Sequence, residues 1–312
     1  MTSWTFVHIA DMQPGSPRSF RYHPNWDDNW RTAQKQIRAI DPELVLVGGD
    51  ITRDGAIHDF ELEKARADLD ALGAPCHVIP GNMDTGNKHA PTQGARTDRN
   101  DLELNVTSAQ LAKFASYFGP IPWSFVHRNV RFTGFYAAVA ASGLPEEDVM
   151  WTFLDGLRDL PRAEHHVVMT HYPLFLDEID DETFDLTVLA QYLPWYFSID
   201  KPHRERILAH LKAAGVTIAV SGHIHCYRTQ QADGIQFIKS PATCSAQMTD
   251  RWDDADATLG FLRFDVSDDG IKHTLIPLEK VSTRKGYGPG GHPKPELRDY
   301  SQAWEKRPFA TS

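Results

Sequence analysis

Apolar and polar positions along the chain alternate between short solid runs and longer periodic stretches. Residues 4–10 form a first β-type run, and Asp11-Met12-Gln13 follows at once. Residues 27–40 place Trp30, Ala33, Ile37 and Ile40 on one helical stripe, with Asp27 or Asp28 as the N-cap and Pro42 as the stop. Residues 44–47 are apolar throughout, as in a strand covered on both faces, and end in Gly48-Gly49-Asp50. A second amphipathic helix is predicted over 58–72, stopped by Gly73 and Pro75. A strand over 76–79 then runs into Pro80-Gly81-Asn82-Met83-Asp84.

The stretch 85–99 has no apolar periodicity and predicts a long loop. Helices are predicted over 108–118 and 146–160, with a hairpin between them from 125–127 and 131–136 around Arg128-Asn129. Residues 167–170 form another buried run, which delivers His171. Residues 174–202 are acidic and then aromatic, and predict a loop or lid. A helix over 204–214 leads to a strand over 216–220 and to Gly222-His223-Ile224-His225. The runs 235–239, 259–266 and 272–278 alternate as antiparallel strands do. The Gly-rich stretch 285–312 reads as an extended tail, so the domain is expected to span 1–284.

Strands alternating with helices predict an α/β domain, and ligands of such sheets gather beyond the carboxyl ends of the strands. Here five strand ends carry ligand-type residues: Asp11 with Gln13, Asp50, Asn82 with Asp84, His171, and His223 with His225. Taken singly, each reads as a turn former, a helix cap or a hydrogen-bonded histidine. Taken together, on five separate buried strands, they exceed what turn chemistry requires. A His-x-His pair on a loop can aim both imidazoles at one centre, and imidazole is a common ligand for zinc, manganese and iron.

Composition narrows the partners. The chain has 312 residues, 24% of them charged, with a formal net charge of −10. That balance argues against a nucleic-acid polymer or an anionic membrane as partner. The acidic stretch with Asp177, Glu178, Asp180, Asp181 and Glu182, read as part of the mouth, argues the same way. Three widely spaced cysteines form no disulfide framework, the N-terminus carries no secretory pattern, and no apolar run reaches membrane-spanning length. A cytoplasmic protein is expected.

The motifs Asp11-x-Gln13, Gly49-Asp50, Gly81-Asn82-x-Asp84, His171 and Gly222-His223-x-His225 resemble those of the calcineurin-like metallophosphoesterases, over residues 11–225. The Asp-x-Gln form, the run at 81–87 and the stretch 174–180 look like the branch of calcineurin-like phosphoesterase domain-containing protein 1. The resemblance implies a two-sheet β-sandwich flanked by helices, in αββα layers. It also implies two divalent metal ions and hydrolysis of a phosphomonoester or phosphodiester by metal-activated water. Carried over residue by residue, Asp50 bridges the metals. Asp11, Gln13 and His225 complete one site, and Asn82, His171 and His223 the other. The first, rich in oxygen, suits manganese, magnesium or ferrous iron; the second, with two imidazoles, suits zinc, manganese or iron. Asp50, Asn82 and His223 are expected to act in catalysis. Asp84 is expected to join them from outside the ligand set, orienting His223 or the side chain at position 83. The implied substrate is a small phosphate ester or a phosphoprotein.

Two positions depart from the family pattern. Gln13 stands where most members have histidine, and a neutral amide binds metal more weakly. Met83 also replaces a histidine, and a thioether has no proton to give. Another group then protonates the leaving group, or the leaving group needs no acid. The alternatives are a metal-binding module without turnover, or cleavage of a non-phosphate bond such as a glycoside. His89, His58 and His23 are the candidate acids, and Asn82, Met83 and His89 the candidate substrate contacts. Tyr22, Trp26, Trp30, Tyr192, Trp195, Tyr196 and Phe197 read first as packing and second as a stacking surface. Arg18, Arg21 and Arg53 read first as solvated charges.

Overall fold

The computed structural model describes residues 3–90, 104–182 and 184–286. The stretch 287–312 therefore lies outside the described residues, as does most of the loop expected at 85–99. In chain order the elements are β1 (Trp4–Ile9), α1 (Pro24–Ile40), β2 (Leu44–Val47), α2 (Asp59–Asp70), β3 (Cys76–Val78), α3 (Asn82–Thr85), α4 (Ser108–Phe118), β4 (Trp123–His127), β5 (Val130–Gly134), α5 (Pro145–Gly156), β6 (His165–Met169), α6 (Leu189–Tyr196), α7 (Lys201–Ala213), β7 (Ile218–Ser221), β8 (Arg228–Ala232), β9 (Ile235–Lys239), β10 (Gly260–Ser267) and β11 (Gly270–Pro277).

Two mixed sheets pack face to face. One has the order β11-β10-β1-β2-β3, the other β4-β5-β6-β7-β9-β8. Side chains on a strand point alternately to its two faces, and β1 uses both. Trp4 and Phe6 point between the sheets, where Phe6 stacks on Phe264 at 4.6 Å and meets Phe132 edge-on at 5.0 Å. Val7 and Ile9 point the other way, and join Val45 and Val47 under Trp30, Ala33 and Ile37 of α1 and Leu62 of α2. The second sheet's outer face, with Val168, Ala219 and Phe237, is covered by Leu154 of α5 and Ile207 and Leu211 of α7. Helices on both outer faces complete the expected αββα layers.

Several local expectations change. The first helix starts at Pro24, because proline fits the first turn, where its missing N–H costs nothing. Asp27 is then no cap; its carboxylate accepts the Gly15 N–H at 3.0 Å. The lid segment contains α6, and α7 starts at Lys201, three residues ahead of the expected start. β9 is antiparallel to β8 but parallel to β7, and β8 itself was not foreseen. Its sequence, Arg-Thr-Gln-Gln-Ala, has no apolar face to announce an edge strand. Near the end of the described chain, Ser282 and Arg284 hydrogen-bond Asp28 of α1. No helix among the described residues is long and apolar enough to cross a membrane.

Candidate metal centre

β1, β2 and β3 run parallel within the first sheet, and β6 and β7 within the second. Their carboxyl ends meet between the sheets. Ligand-type atoms of Asp50, His171 and His223 lie within 4.8 Å of one another, and so do those of Asp11, Asp50 and His225. Asp50 belongs to both groups, and all five residues are buried.

Each imidazole is held by a carbonyl outside the cluster. His171 Nδ1 lies 2.8 Å from the Gly48 oxygen, His225 Nδ1 lies 3.0 Å from that of Ser245, and His223 Nε2 lies 3.2 Å from that of Tyr196. A carbonyl only accepts, so the nitrogen facing it carries the proton. In a neutral ring the other nitrogen then turns an unshared pair inward. For His171 that nitrogen is Nε2, 3.4 Å from Asp50 Oδ1 and 3.2 Å from Asn82 Oδ1. For His225 it is Nε2, 3.3 Å from Asp11 Oδ1. Around His171, acceptors thus face acceptors; His225, charged without a cation, is the counter-ion of Asp11 until a cation displaces its proton.

The charges at the centre depend strongly on one another. Burial pushes the Asp50 carboxyl above its ordinary range, and the charge of Asp11 adds to that, while His171 and the Met83 N–H pull the other way. Burial also raises Asp11, but His225 reverses this and leaves it low. Burial opposes charge on His225, yet Cys244 and Asp11 hold its pKa well above the usual value. Burial drives His223 well below the usual value, helped by His171. Asp11 Oδ1 is buried with no hydrogen-bond partner nearer than the His225 imidazole at 3.3 Å. Such an orphan is costly unless a cation answers it. The donor set therefore fits bound divalent cations: two carboxylates, three imidazoles, of which His225 would give up its proton on binding, and an amide oxygen.

The backbone is bent to achieve this. Asp11, Gln13, Asp50, His223 and His225 all have left-handed φ, between 44° and 73°. Each such non-glycine residue costs on the order of 1 kcal/mol, and strain of this kind collects at functional sites. Ordinary loop chemistry needs no five such residues around one point. Two glycines make room: a Cβ at Gly222 would collide with the Asp11 carboxylate, and one at Gly81 with the carboxylate and backbone of Asp50.

Asn82, at the start of α3, is well placed. Its Nδ2 donates to Asn87 Oδ1 and to the Tyr196 hydroxyl, each at 3.1 Å, which leaves its Oδ1 facing the cluster. Gln13 is turned the other way. Its Oε1 accepts from Arg53 at 3.1 Å, and its Nε2 faces Asp50 Oδ2 at 2.9 Å and His225 Nε2 at 3.4 Å. An amide nitrogen is no ligand, so in this orientation Gln13 is a donor to Asp50. Asp84 corrects a second expectation. Its carboxylate accepts from Gly81 N (2.8 Å), Ile51 N (3.3 Å), Thr52 N (3.0 Å) and Thr52 Oγ1 (2.6 Å). It ties the loop after β2 to the loop after β3, and orients neither His223 nor the position-83 side chain. Burial, with the charge of Asp50, pushes it up to about 7.

Two of the candidate acids, His89 and His58, are engaged by backbone groups away from the cluster. His89 Nε2 lies 2.8 Å from the Val106 carbonyl and the residue lines no described cavity. His58 Nε2 accepts the Phe20 N–H, and burial lowers its pKa to about 4. His23 stacks on Trp26. Met83 does reach the mouth. Its N–H donates to Asp50 Oδ1 at 2.8 Å, and it lines a cavity of about 620 Å³ with Asn82, Asn87, Arg21, Tyr192, Tyr196 and Phe197. A second cavity, of about 200 Å³ under α4 and α5, is lined mostly by apolar residues together with Tyr136 and Glu146. The acidic stretch does not line the mouth: Asp177 pairs with Arg251 and Glu182 with Lys201. Arg21 is held by Asp54, and Arg53 lies over the Trp26 ring at 4.9 Å, so neither is a freely solvated charge. Arg18 lies over the Phe60 ring. Trp30 and Trp195 are core residues, as first read.

Comparison with known proteins agrees with this geometry. The family model described as calcineurin-like phosphoesterase matches residues 5–227. The serine/threonine-protein phosphatase CPPED1 of Danio rerio is 24% identical over 304 residues, covering 89% of this chain and 86% of the relative. Among solved structures, a dimetal phosphatase from Danio rerio aligns with a TM-score of 0.51 at 16% identity, over 88% of this chain and 99% of that one. A purple acid phosphatase from yellow lupin aligns with a TM-score of 0.60 at 12% identity, over 91% of this chain and 53% of that one. At such identities the solved structures speak to the fold alone.

Proposed function

Because the chain belongs to the calcineurin-like phosphoesterase family, metal-dependent hydrolases of phosphoric esters, we propose that its own substrate is a phosphomonoester, borne by a small molecule or a protein side chain. The observation that carries this reading is the convergence of buried ligand-type atoms on two groups that share Asp50. Asp11, Asp50 and His225 would hold one divalent cation, and Asp50, Asn82, His171 and His223 the other. Manganese or iron suits the first group, and zinc or iron the second. Bound there, the cations supply Lewis acidity, polarising a phosphoryl oxygen and making water a better nucleophile.

The chain's own part is to hold and orient. Carbonyls of Gly48, Ser245 and Tyr196 fix the three imidazoles. The Met83 N–H and the Gln13 amide fix Asp50. Arg53 stands behind Gln13, and its Nε is buried without an acceptor. Its fixed positive charge favours the dianion of a monoester over the monoanion of a diester. A relative named as a serine/threonine-protein phosphatase supports a phosphorylated hydroxyl side chain as one substrate.

The test is the ratio of kcat/KM for p-nitrophenyl phosphate and bis(p-nitrophenyl) phosphate with Mn²⁺-loaded protein. The monoester is expected to be favoured by about tenfold or more, worth ~1.4 kcal/mol in the transition state. A diester preference contradicts the monoester reading. Turnover of neither ester, by protein shown to hold metal, contradicts phosphate chemistry altogether.

The orientation of Gln13 gives a further prediction. Gln13→His places an imidazole where an amide nitrogen now faces Asp50. Affinity for the more weakly held Zn²⁺ is expected to rise about tenfold in calorimetric titration, ~1.4 kcal/mol. An unchanged affinity would mean that position 13 does not reach the ion.

A further inference from the structure

We propose that the Tyr196 hydroxyl donates a hydrogen bond to the leaving-group oxygen of the bound ester, the part that Met83 cannot play. The inference rests on the phosphoesterase reading above. Tyr196 ends α6, in the stretch expected to be a lid, and its ring lines the cavity beside Met83. The residue is anchored at both ends. Its carbonyl oxygen accepts from His223 Nε2 at 3.2 Å, and its hydroxyl lies 3.1 Å from Asn82 Nδ2 and 3.1 Å from Asn87 Oδ1. One amide width separates the hydroxyl from Asn82 Oδ1, which faces the cluster.

The hydroxyl is free to turn. Without substrate its proton goes to Asn87 Oδ1, but Asn82 Nδ2 also donates to that oxygen. When the hydroxyl swings toward a ligand, Asn87 keeps a donor, and the Asn82 N–H still holds the phenol oxygen in place. A phenol is ordinarily protonated at neutral pH, and Arg21 lines the same cavity. His89 and His58 are engaged by backbone groups, and His23 stacks on Trp26. In the step itself, water oxygen bonds to phosphorus as the ester P–O bond breaks. The electron pair stays on the leaving oxygen, and the proton released by the water ends there. The phenol stabilises that oxygen as its charge develops and remains protonated throughout.

The test is Tyr196→Phe in metal-loaded protein, compared with wild type on dinitrophenyl, nitrophenyl, phenyl and alkyl phosphates, with metal content measured in parallel. Loss of kcat is expected to be small for dinitrophenyl phosphate and to reach about 10²-fold for the alkyl ester, with metal content unchanged. A uniform loss across the series together with lost metal would show that Tyr196 acts only through Asn82, and overturns the proposal. So does an unchanged rate on every ester. If wild-type protein holding metal turns over none of the esters, the underlying phosphoesterase reading falls and this inference with it.

Discussion

Asp50→Asn is expected to lower turnover of an aryl phosphate by about 10³-fold or more, ~4 kcal/mol of transition-state stabilisation. Asp50 is the one side chain common to both ligand groups. Its two oxygens accept from different donors, Gln13 Nε2 at 2.9 Å and the Met83 N–H at 2.8 Å. Asparagine offers one acceptor and one donor, so one of those bonds is lost along with the charge. Metal content is expected to fall by at least one ion per chain. Stability should move the other way. Burial raises the Asp50 pKa in the folded protein, so its ionised form weighs against folding when no cation is bound. Metal-free Asp50→Asn should therefore melt no lower than metal-free wild type, while the metal-loaded variant melts below the metal-loaded wild type. A variant that retains full rate and full metal would contradict Asp50 as the shared ligand.

Gly81→Ala is expected to be nearly as damaging, although it alters no chemical group. Gly81 has φ −108° and ψ −178°, which alanine adopts freely, so backbone preference is not the issue. A Cβ there would overlap the Asp50 carboxylate and the Asp50 backbone nitrogen. Backbone cannot yield as a flexible side chain can. The Gly81 N–H also donates to Asp84, which ties this loop to Ile51 and Thr52 beside Asp50. Displacing Asp50 by a fraction of an ångström or more should cost about 10²-fold in turnover. The crowding should cost about 1–3 kcal/mol in stability, measured as the shift in denaturation midpoint. Wild-type rate in Gly81→Ala would mean that the tight approach of the two loops is not needed.

Much of this centre could be read from the chain because its ligands follow short, buried strands. A run such as Leu44–Val47 admits little besides a strand, and a polar residue at its end has one edge of the sheet to occupy. Five such ends in one chain are brought together by the sandwich, whatever the details of the loops. Details that depend on side-chain direction were not legible. The Gln13 amide turns its nitrogen inward because Arg53, forty residues on, takes its oxygen. Asp84 spends its carboxylate on three backbone N–H groups and one hydroxyl, a pattern invisible in a residue list. His89 faces Val106 because of how the described parts of its loop return beside Leu104.

The sequence places Tyr196 among aromatic residues that read as packing or as a stacking surface, and gives no sign of its helix. α6 is short and contains Pro194, so no periodicity announces it. A signal was present all the same: a tyrosine within an aromatic cluster, in a segment between the His171 and His223 strands, has a short path to the metal ligands. The edge strand β8 failed for the converse reason, since its polar sequence borrows its conformation from β9.

The central claim is that this chain hydrolyses a phosphate ester through cations held by Asp11, Asp50, Asn82, His171, His223 and His225. The most direct measurement is metal content per chain against turnover of p-nitrophenyl phosphate, in chelator-treated protein reloaded stepwise with Mn²⁺ or Zn²⁺. The account predicts no turnover in the stripped protein, and activity that rises with loading and saturates near two ions per chain. Full turnover by protein shown to be free of metal would contradict it.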